Sequence, residues 1–361
     1  MRGKYTFKAG MKAEQHIGTH LGWGYSKREL IASMKGYAKQ ALEELGHAIP
    51  TRLAAAPSKM PRPQYGAKAQ CAEIDDTEAL PESKIKYLQR VLGKFLYYAR
   101  ANGSAMLHAL SDIAGSVAKG AKATEKAVRH FMSYARSSPG AAARLRASGM
   151  RLAGGSDAAC LVAPEARSRA GGCHCCTGIA GEQFNGPIHA MAKVIKNVMA
   201  SAVEAEVAAM LMNARLMAEF RQALEDMGHP QPPAVARAGS EAGCGVLSGA
   251  ARQRRPKVAG MSLSWLKGRC ERGQFKVGWA PGPTSRAGYA TKNHPGPHHQ
   301  AVRPTQLYIK GRSPTALQWC GRATGAARAK PGPRGAEAGL AGKLKSLLPS
   351  ASAKRLRSLA S

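Results

Sequence analysis

The sequence predicts an α/β fold: a mixed sheet with flanking helices in the second half, a helical module ahead of it and a disordered basic tail behind it. Three observations carry that prediction. From Pro81 onward apolar residues recur at helical spacing, and after Ser137-Ser138-Pro139-Gly140 the pattern turns to short strand-like pieces broken by glycine pairs. A long helix then opens at Ser201.

Taken in order, residues 1–66 mix short apolar runs with turn signals and end in Pro57-Ser58-Lys59-Met60-Pro61-Arg62-Pro63, an extended linker. Within them Ser33 to Leu42 reads as a strand end entering a short helix. Residues 67–139 form the helical module. Ile85, Leu88, Val91, Leu92, Phe95, Leu96 and Ala99 make one apolar stripe, and two more helices are expected at 104–117 and 123–136.

Residues 140–305 carry the predicted sheet, with strands at 142–148, 150–162, 173–178 and 187–195. Ser201 is the expected N-cap of the long helix, whose buried face is Val203, Val207, Met210, Leu211, Ala214 and Met217 and whose end falls near Gly228. A helix at 257–272 and the strand Gln274 to Trp279 complete the domain. Residues 306–361 are a basic, low-complexity tail rich in Gly, Ala, Arg and Pro, expected to be disordered alone.

Composition narrows the partners. The 361 residues hold 54 Lys+Arg against 22 Asp+Glu, a formal charge of +32, and the charge is uneven. Residues 227–361 hold 23 Lys/Arg against Glu241, Glu271 and Glu337, so 23 − 3 = +20 of the total lies there. Such a one-signed segment repels itself unless a counter-charged partner neutralises it, which points to nucleic acid. No apolar stretch has the length of a membrane helix and the start has no apolar signal region, so an intracellular protein with no membrane partner is expected. The eight cysteines are scattered and are expected as free thiols.

Several local patterns suggest chemistry and are better read as structure. Cys173-His174-Cys175-Cys176 has metal-ligating residue types, but alternate residues of a strand face opposite ways and no second Cys/His pair lies at finger spacing, so zinc is not expected. His294, His298 and His299 read as a polar exit loop, and Asp75-Asp76 as a solvated acidic turn ahead of a helix. Gly154-Gly155 and Gly171-Gly172 lack the Gly-Lys-Ser/Thr that a phosphate loop requires. Arg252, Arg254, Arg255 and Lys257 form a basic run that suits either a solvated face or phosphate contacts.

One set of motifs, in this order, resembles a known family. Tyr87-Leu88-Gln89-Arg90-Val91-Leu92-Gly93-Lys94-Phe95-Leu96, Ser156-Asp157-Ala158-Ala159, Glu204-Ala205-Glu206, Trp265-Leu266-Lys267, Trp279-Ala280-Pro281-Gly282 and Ala287-Gly288-Tyr289-Ala290-Thr291-Lys292 together resemble the C-terminal part of a copia-type LTR-retrotransposon polyprotein. The resemblance spans about residues 18 to 305 and implies a remnant of the reverse transcriptase region with its linker at 1–66, a helical connection module at 67–139 and an RNase H-like domain at 140–305. Other segments of such a polyprotein are implied as partners, together with RNA/DNA hybrid or duplex.

RNase H chemistry is in-line attack of water on a phosphodiester between two Mg²⁺ ions, which the family holds with four carboxylates. The resemblance makes Asp157 the first. Glu204 and Glu206 flank the apolar helix face about equally, so periodicity leaves both open, while the family's Glu-x-x-Ala pattern favours Glu206 followed by Ala209. The third position falls at Ala238 or Gly239, with Glu241 the nearest acid, and the fourth falls on Gly288. With two of four ligands absent, Mg²⁺ is expected to be held weakly or not at all, and the protein to be catalytically impaired. Lys267, Arg269, Arg272 and Lys292, with the 252–257 run, are the candidate phosphate contacts. Two rival readings are an active Mg²⁺-dependent ribonuclease H completed by Glu241 and a substrate phosphate, and a non-enzymatic basic nucleic-acid-binding protein with a frayed fold.

Overall fold

In the computed structural model the described residues are 12–48, 50–60, 75–178, 185–247, 260–280 and 285–309. The chain divides into two units, Met1–Gly321 and Arg322–Ser361, and every described residue lies in the first.

The first unit opens with a short hairpin, β1 (Gln15–His16) and β2 (Thr19–Gly24), turning over Ile17 and Gly18, both at positive φ as a two-residue hairpin turn requires. Then β3 (Glu29–Ser33) pairs antiparallel with β2. The fourth strand of this sheet is distant in sequence: β4 (Ala142–Arg146) pairs with β3 from Glu29↔Arg146 to Ser33↔Ala142. Strand 142–146 therefore closes the N-terminal sheet.

Between β3 and β4 lies the helical module: α1 (Tyr37–Glu44), α2 (Glu82–Ala101), α3 (Leu107–Ser116, entered through a 3-10 turn at Ser104–Met106) and α4 (Lys122–Ser137). The expected stripe is the face that packs. Leu88, Val91, Phe95 and Ala99 are buried while Ile85, Leu92 and Leu96 border them. Phe95 and Phe131 meet edge to face at 5.2 Å, and the Tyr98 hydroxyl donates to the Pro139 carbonyl, joining α2 to the segment that enters β4.

The second sheet is mixed, as the sequence predicts. Its strands are β5 (Arg151–Ala163), β6 (Arg167–Thr177), β7 (His189–Val194), β8 (Ala234–Ala238) and β9 (Phe275–Trp279), in the order β7-β6-β5-β8-β9. The pairs β5–β6 and β6–β7 are antiparallel; β5–β8 and β8–β9 are parallel. The parallel pairs need crossovers. α5 (Ala202–Asp226) carries the chain from β7 back to β8, and α6 (Glu241–Leu247) and α7 (Gly260–Glu271) precede β9. Ser201 caps α5, its Oγ accepting from the Glu204 N–H at 3.2 Å.

Three expectations are corrected. The strand expected at 142–148 with those of the second sheet is β4, which pairs with β3 in the N-terminal sheet. β6 begins at Arg167, six residues before the expected strand, because Gly171 and Gly172 serve close packing rather than a turn. A Cβ on Gly172 would sit 1.8 Å from Asn213 Oδ1, and one on Gly171 2.4 Å from the Ala287 carbonyl oxygen. Of the expected histidine-rich exit loop, His298 and His299 lie instead in α8 (Gly296–Gln306), with proline in its first turn where the missing N–H costs nothing, while His294 precedes that helix. Its His299 is buried between two tyrosines, the Tyr134 hydroxyl lying 2.7 Å from Nε2 and the Tyr289 hydroxyl contacting Nδ1.

Among the described residues no helix is long and apolar enough to cross a membrane, and Cys160, Cys173, Cys175, Cys176, Cys244 and Cys270 are free. The region 306–361 lies outside the described residues from residue 310 onward, as does the basic run Arg252, Arg254, Arg255 and Lys257.

Candidate functional site

Where β5 and β8 run parallel, their register ends at Ser156↔Ala238, so the next residues, Asp157 and Gly239, meet at the carboxyl end of β8. Crevices at such strand ends are where open α/β sheets place ligands. Asp157 is 8% exposed. Its face of the sheet is covered by the segment Ala287–Thr291, which can lie flat because Gly171, the register partner of Asp157, has no side chain. From that segment Thr291 Oγ1 donates to Asp157 Oδ2 at 2.8 Å.

Glu206 comes from the first turns of α5 and meets the same place. Burial and then the nearby Asp157 charge push its carboxyl up to about 7, while the Ala158 backbone bond and Lys292 pull the other way. Its Oε2 is buried without a hydrogen-bond partner. Asp157 is also raised, by burial, against the opposing Thr291 bond and Lys292 charge. The two acids are thus coupled and incompletely solvated. Glu204 instead closes the helix start, its Oε2 accepting from the Ala200 N–H at 2.8 Å.

Asn213, about two turns further along the same face of α5, anchors the strands behind Asp157. Its Nδ2 donates to Ser156 Oγ at 3.0 Å, the Gly171 carbonyl at 3.0 Å and the Ala209 carbonyl at 2.9 Å. Neither Asn213 nor Thr291 emerges as a site residue from the sequence. The signal for Thr291 was present in the Thr291-Lys292 pair, of which only the lysine suggested a role.

Two glycines complete the geometry. A Cβ on Gly239 would lie 2.1 Å from Asp157 Oδ1, and one on Gly288 3.5 Å from Asp157 Oδ2. Neither glycine has a positive φ, so these backbones are open to other residues, and only space separates the two cases. Of the two candidates for the third position, Gly239 rather than Ala238 faces Asp157. Glu241 is exposed at the start of α6, where Ser240 Oγ accepts from the Gly243 N–H at 3.2 Å.

Could Asp157 and Glu206 hold the ions that the resemblance implies? Two hexacoordinate Mg²⁺ ions need several hard oxygen ligands. Asp157 already accepts from Thr291, which leaves it and Glu206 few free oxygens to share between two ions. Both other expected positions are glycine, and among the described residues no group of three or more His, Cys, Asp or Glu is arranged to hold a metal. The residues present do not fit a two-ion centre.

Among the candidate cations, Lys292 is exposed and its charge acts on both acids. Arg272 is exposed just after α7, and Lys267 is half-buried on it. Arg269 is engaged in the fold, donating to Gln274 Oε1 at 2.8 Å with its guanidinium 4.8 Å from the centre of the Trp265 ring. In the Cys-His-Cys-Cys run of β6 all four side chains are buried, and His174 packs against His189 and Phe220. Asp75 forms a local turn, accepting from the Thr77 N–H and hydroxyl at 3.1 and 2.6 Å.

The chain matches no family model and no curated protein. It is similar to solved structures of ribonucleases H. One is an RNase H1 isolated from compost by a metagenomic approach, at 12% identity and a TM-score of 0.31, covering 39% of this chain and 93% of that one. Another is RNase H1 of the halophilic archaeon Halobacterium salinarum, at 18% identity and 0.25, covering 39% and 91%. A third is the N-terminal RNase H domain of a Mycobacterium tuberculosis protein fused to maltose-binding protein, at 13% identity and 0.24, covering 39% and 87%.

Proposed function

We propose that this chain is a retroelement-derived, RNase H-like protein of copia type that holds RNA/DNA hybrid or duplex through its phosphates and is impaired in cutting it. In this reading residues 1–66 are the remnant of the reverse transcriptase region, 67–139 the connection module, 140–305 the RNase H-like domain and 306–361 a basic tail. The observation that carries it is the pair of glycines at Asp157. Where the resemblance expects two more acids, Gly239 and Gly288 turn bare backbone toward the carboxyl.

The chemistry follows from charge. Four ionised carboxylates would repel a phosphate chain unless cations lay between them. Here two remain, and burial raises the Glu206 carboxyl to about 7, which weakens its negative charge near neutral pH. Lys292 stands beside them, exposed, and supplies one positive charge to an approaching phosphate. Thr291 fixes the Asp157 carboxyl, and Asn213 fixes the strands beneath it. Residues 227–361 carry +20 of the chain's charge, and a chain so charged favours binding by neutralisation of the backbone, which is non-specific and steeply salt-dependent.

The test is a fluorescence-anisotropy titration of a labelled RNA/DNA hybrid with the full chain in EDTA, repeated over a series of salt concentrations. Expected is metal-free binding whose logarithm falls linearly with log salt. Binding that appears only when Mg²⁺ is added would overturn the proposal.

A further inference from the structure

The N-terminal sheet carries a feature for which the hybrid-holding reading has no use. Trp23 in β2 and Tyr25, just beyond it, are 45% and 80% exposed, and their rings lie parallel, 9° apart with centroids at 6.0 Å. The Trp23 side chain is anchored, and the backbone at Tyr25 is held in a turn. Trp23 Nε1 donates to the Ala13 carbonyl at 3.0 Å, which fixes the indole plane, and the Tyr25–Lys27 turn is closed by the Arg28 N–H donating to the Tyr25 carbonyl at 3.1 Å. Arg28 itself is held in the left-handed region, φ 51°.

No residue of β2 is fully buried. On the face that carries Trp23 the cross-strand row is Leu30 and Leu145, both half-buried, so the rings stand at the edge of a shallow apolar strip. The charges around it are mainly positive. Lys12, Lys27 and Arg28 are exposed, the last two lying two and three residues beyond Tyr25. Of the acids, Glu29 faces Arg144 at 3.7 Å, and Glu14 is exposed.

Exposed, parallel aromatic rings with cations two and three residues beyond Tyr25 meet the two requirements of unpaired polynucleotide: a flat apolar surface for a base and positive charge for the adjoining phosphate. A duplex cannot use the rings, because its bases are already stacked on each other. We propose that Trp23 and Tyr25, with Lys27 and Arg28, form a stacking platform for single-stranded nucleic acid, read through base faces and phosphates that RNA and DNA share. The platform is independent of the Asp157 site and works whether or not that site holds hybrid.

Anisotropy titration of the full chain with labelled oligothymidylate and, in parallel, with a labelled RNA/DNA hybrid tests it. Tyr25→Ala is the informative variant, since a ring exposed to this degree contributes little to the fold, and Trp23→Ala and Trp23→Phe accompany it. Expected is an oligothymidylate affinity about 5- to 150-fold weaker for either alanine variant, the value of one stacked base, with Trp23→Phe retaining most of the affinity and hybrid binding within about twofold of the parent. An unchanged oligothymidylate affinity in Tyr25→Ala, or equal losses for oligothymidylate and hybrid, would overturn the platform. Loss of hybrid binding in the parent chain alone would count against the function proposed above and leave the platform standing.

Discussion

Glu206→Gln should make this protein more stable, and only above mildly acidic pH. One of the carboxyl's oxygens lacks a partner, and burial, with the nearby Asp157 charge adding to it, raises the group from an ordinary 4.5 to about 7. An acid raised in the folded state holds its proton over a range in which the unfolded chain has lost it. Stability therefore falls as pH climbs from about 4.5 to about 7, and the penalty is complete above that. At about 1.36 kcal/mol per pH unit the cost is about 3 kcal/mol, a sizeable share of the 5–15 or so kcal/mol that typically holds a domain together. Glutamine keeps the shape and can still accept from the Ala158 backbone, but has no charge to bury. Urea unfolding followed by circular dichroism at pH 8 and at pH 4.5 measures the difference. We expect Glu206→Gln to exceed the parent by up to about 3 kcal/mol at pH 8 and to match it within about 0.5 kcal/mol at pH 4.5. Equal stability at pH 8, or a gain that persists unchanged at pH 4.5, would refute the burial argument.

Other expectations follow from the same geometry. Gly288→Asp adds a third carboxylate with its Cβ in ordinary contact with Asp157 Oδ2, so the variant should be less stable than the parent in EDTA and recover when millimolar Mg²⁺ is added, whereas the parent should show little Mg²⁺ response in thermal melts. Lys292→Ala should lower hybrid affinity and reduce the magnitude of the salt slope by about one, the signature of one lost phosphate contact. Gly171→Ala drives a methyl into the Ala287 carbonyl and should cost about 1–3 kcal/mol while loosening the segment that bears Thr291, seen as faster amide exchange at Thr291. Phe131→Ala, removing a fully buried ring from the helical core, should cost about 3–5 kcal/mol in urea unfolding.

Periodicity made the helices readable. The α2 stripe and the Ser201 cap are local signals, and local signals survive into the fold. The N-terminal sheet was not readable, because β4 finds β3 across more than a hundred residues and nothing in either strand names the other. The early start of β6 was hidden for a different reason. Gly171 and Gly172 look like a turn until α5 and the Ala287–Thr291 segment press against them. Proline and two histidines disguised α8, whose His299 contributes to packing rather than to an exit loop. At the site, motif order singled out Asp157 and Glu206, which interact in the structure, and it singled out Gly288 as a missing acid. The hydrogen bond from Thr291 and the choice of Gly239 over Ala238 depend on register, which spacing alone does not supply.

The central claim is that this site holds nucleic acid without cutting it. Incubating a labelled RNA/DNA hybrid with the full chain in Mg²⁺ or Mn²⁺, beside Asp157→Asn, tests that claim most directly. We expect the hybrid to be bound and to remain intact, with parent and variant indistinguishable in cleavage. Cleavage of the RNA strand by the parent that Asp157→Asn abolishes would contradict it and restore the reading of an active ribonuclease H.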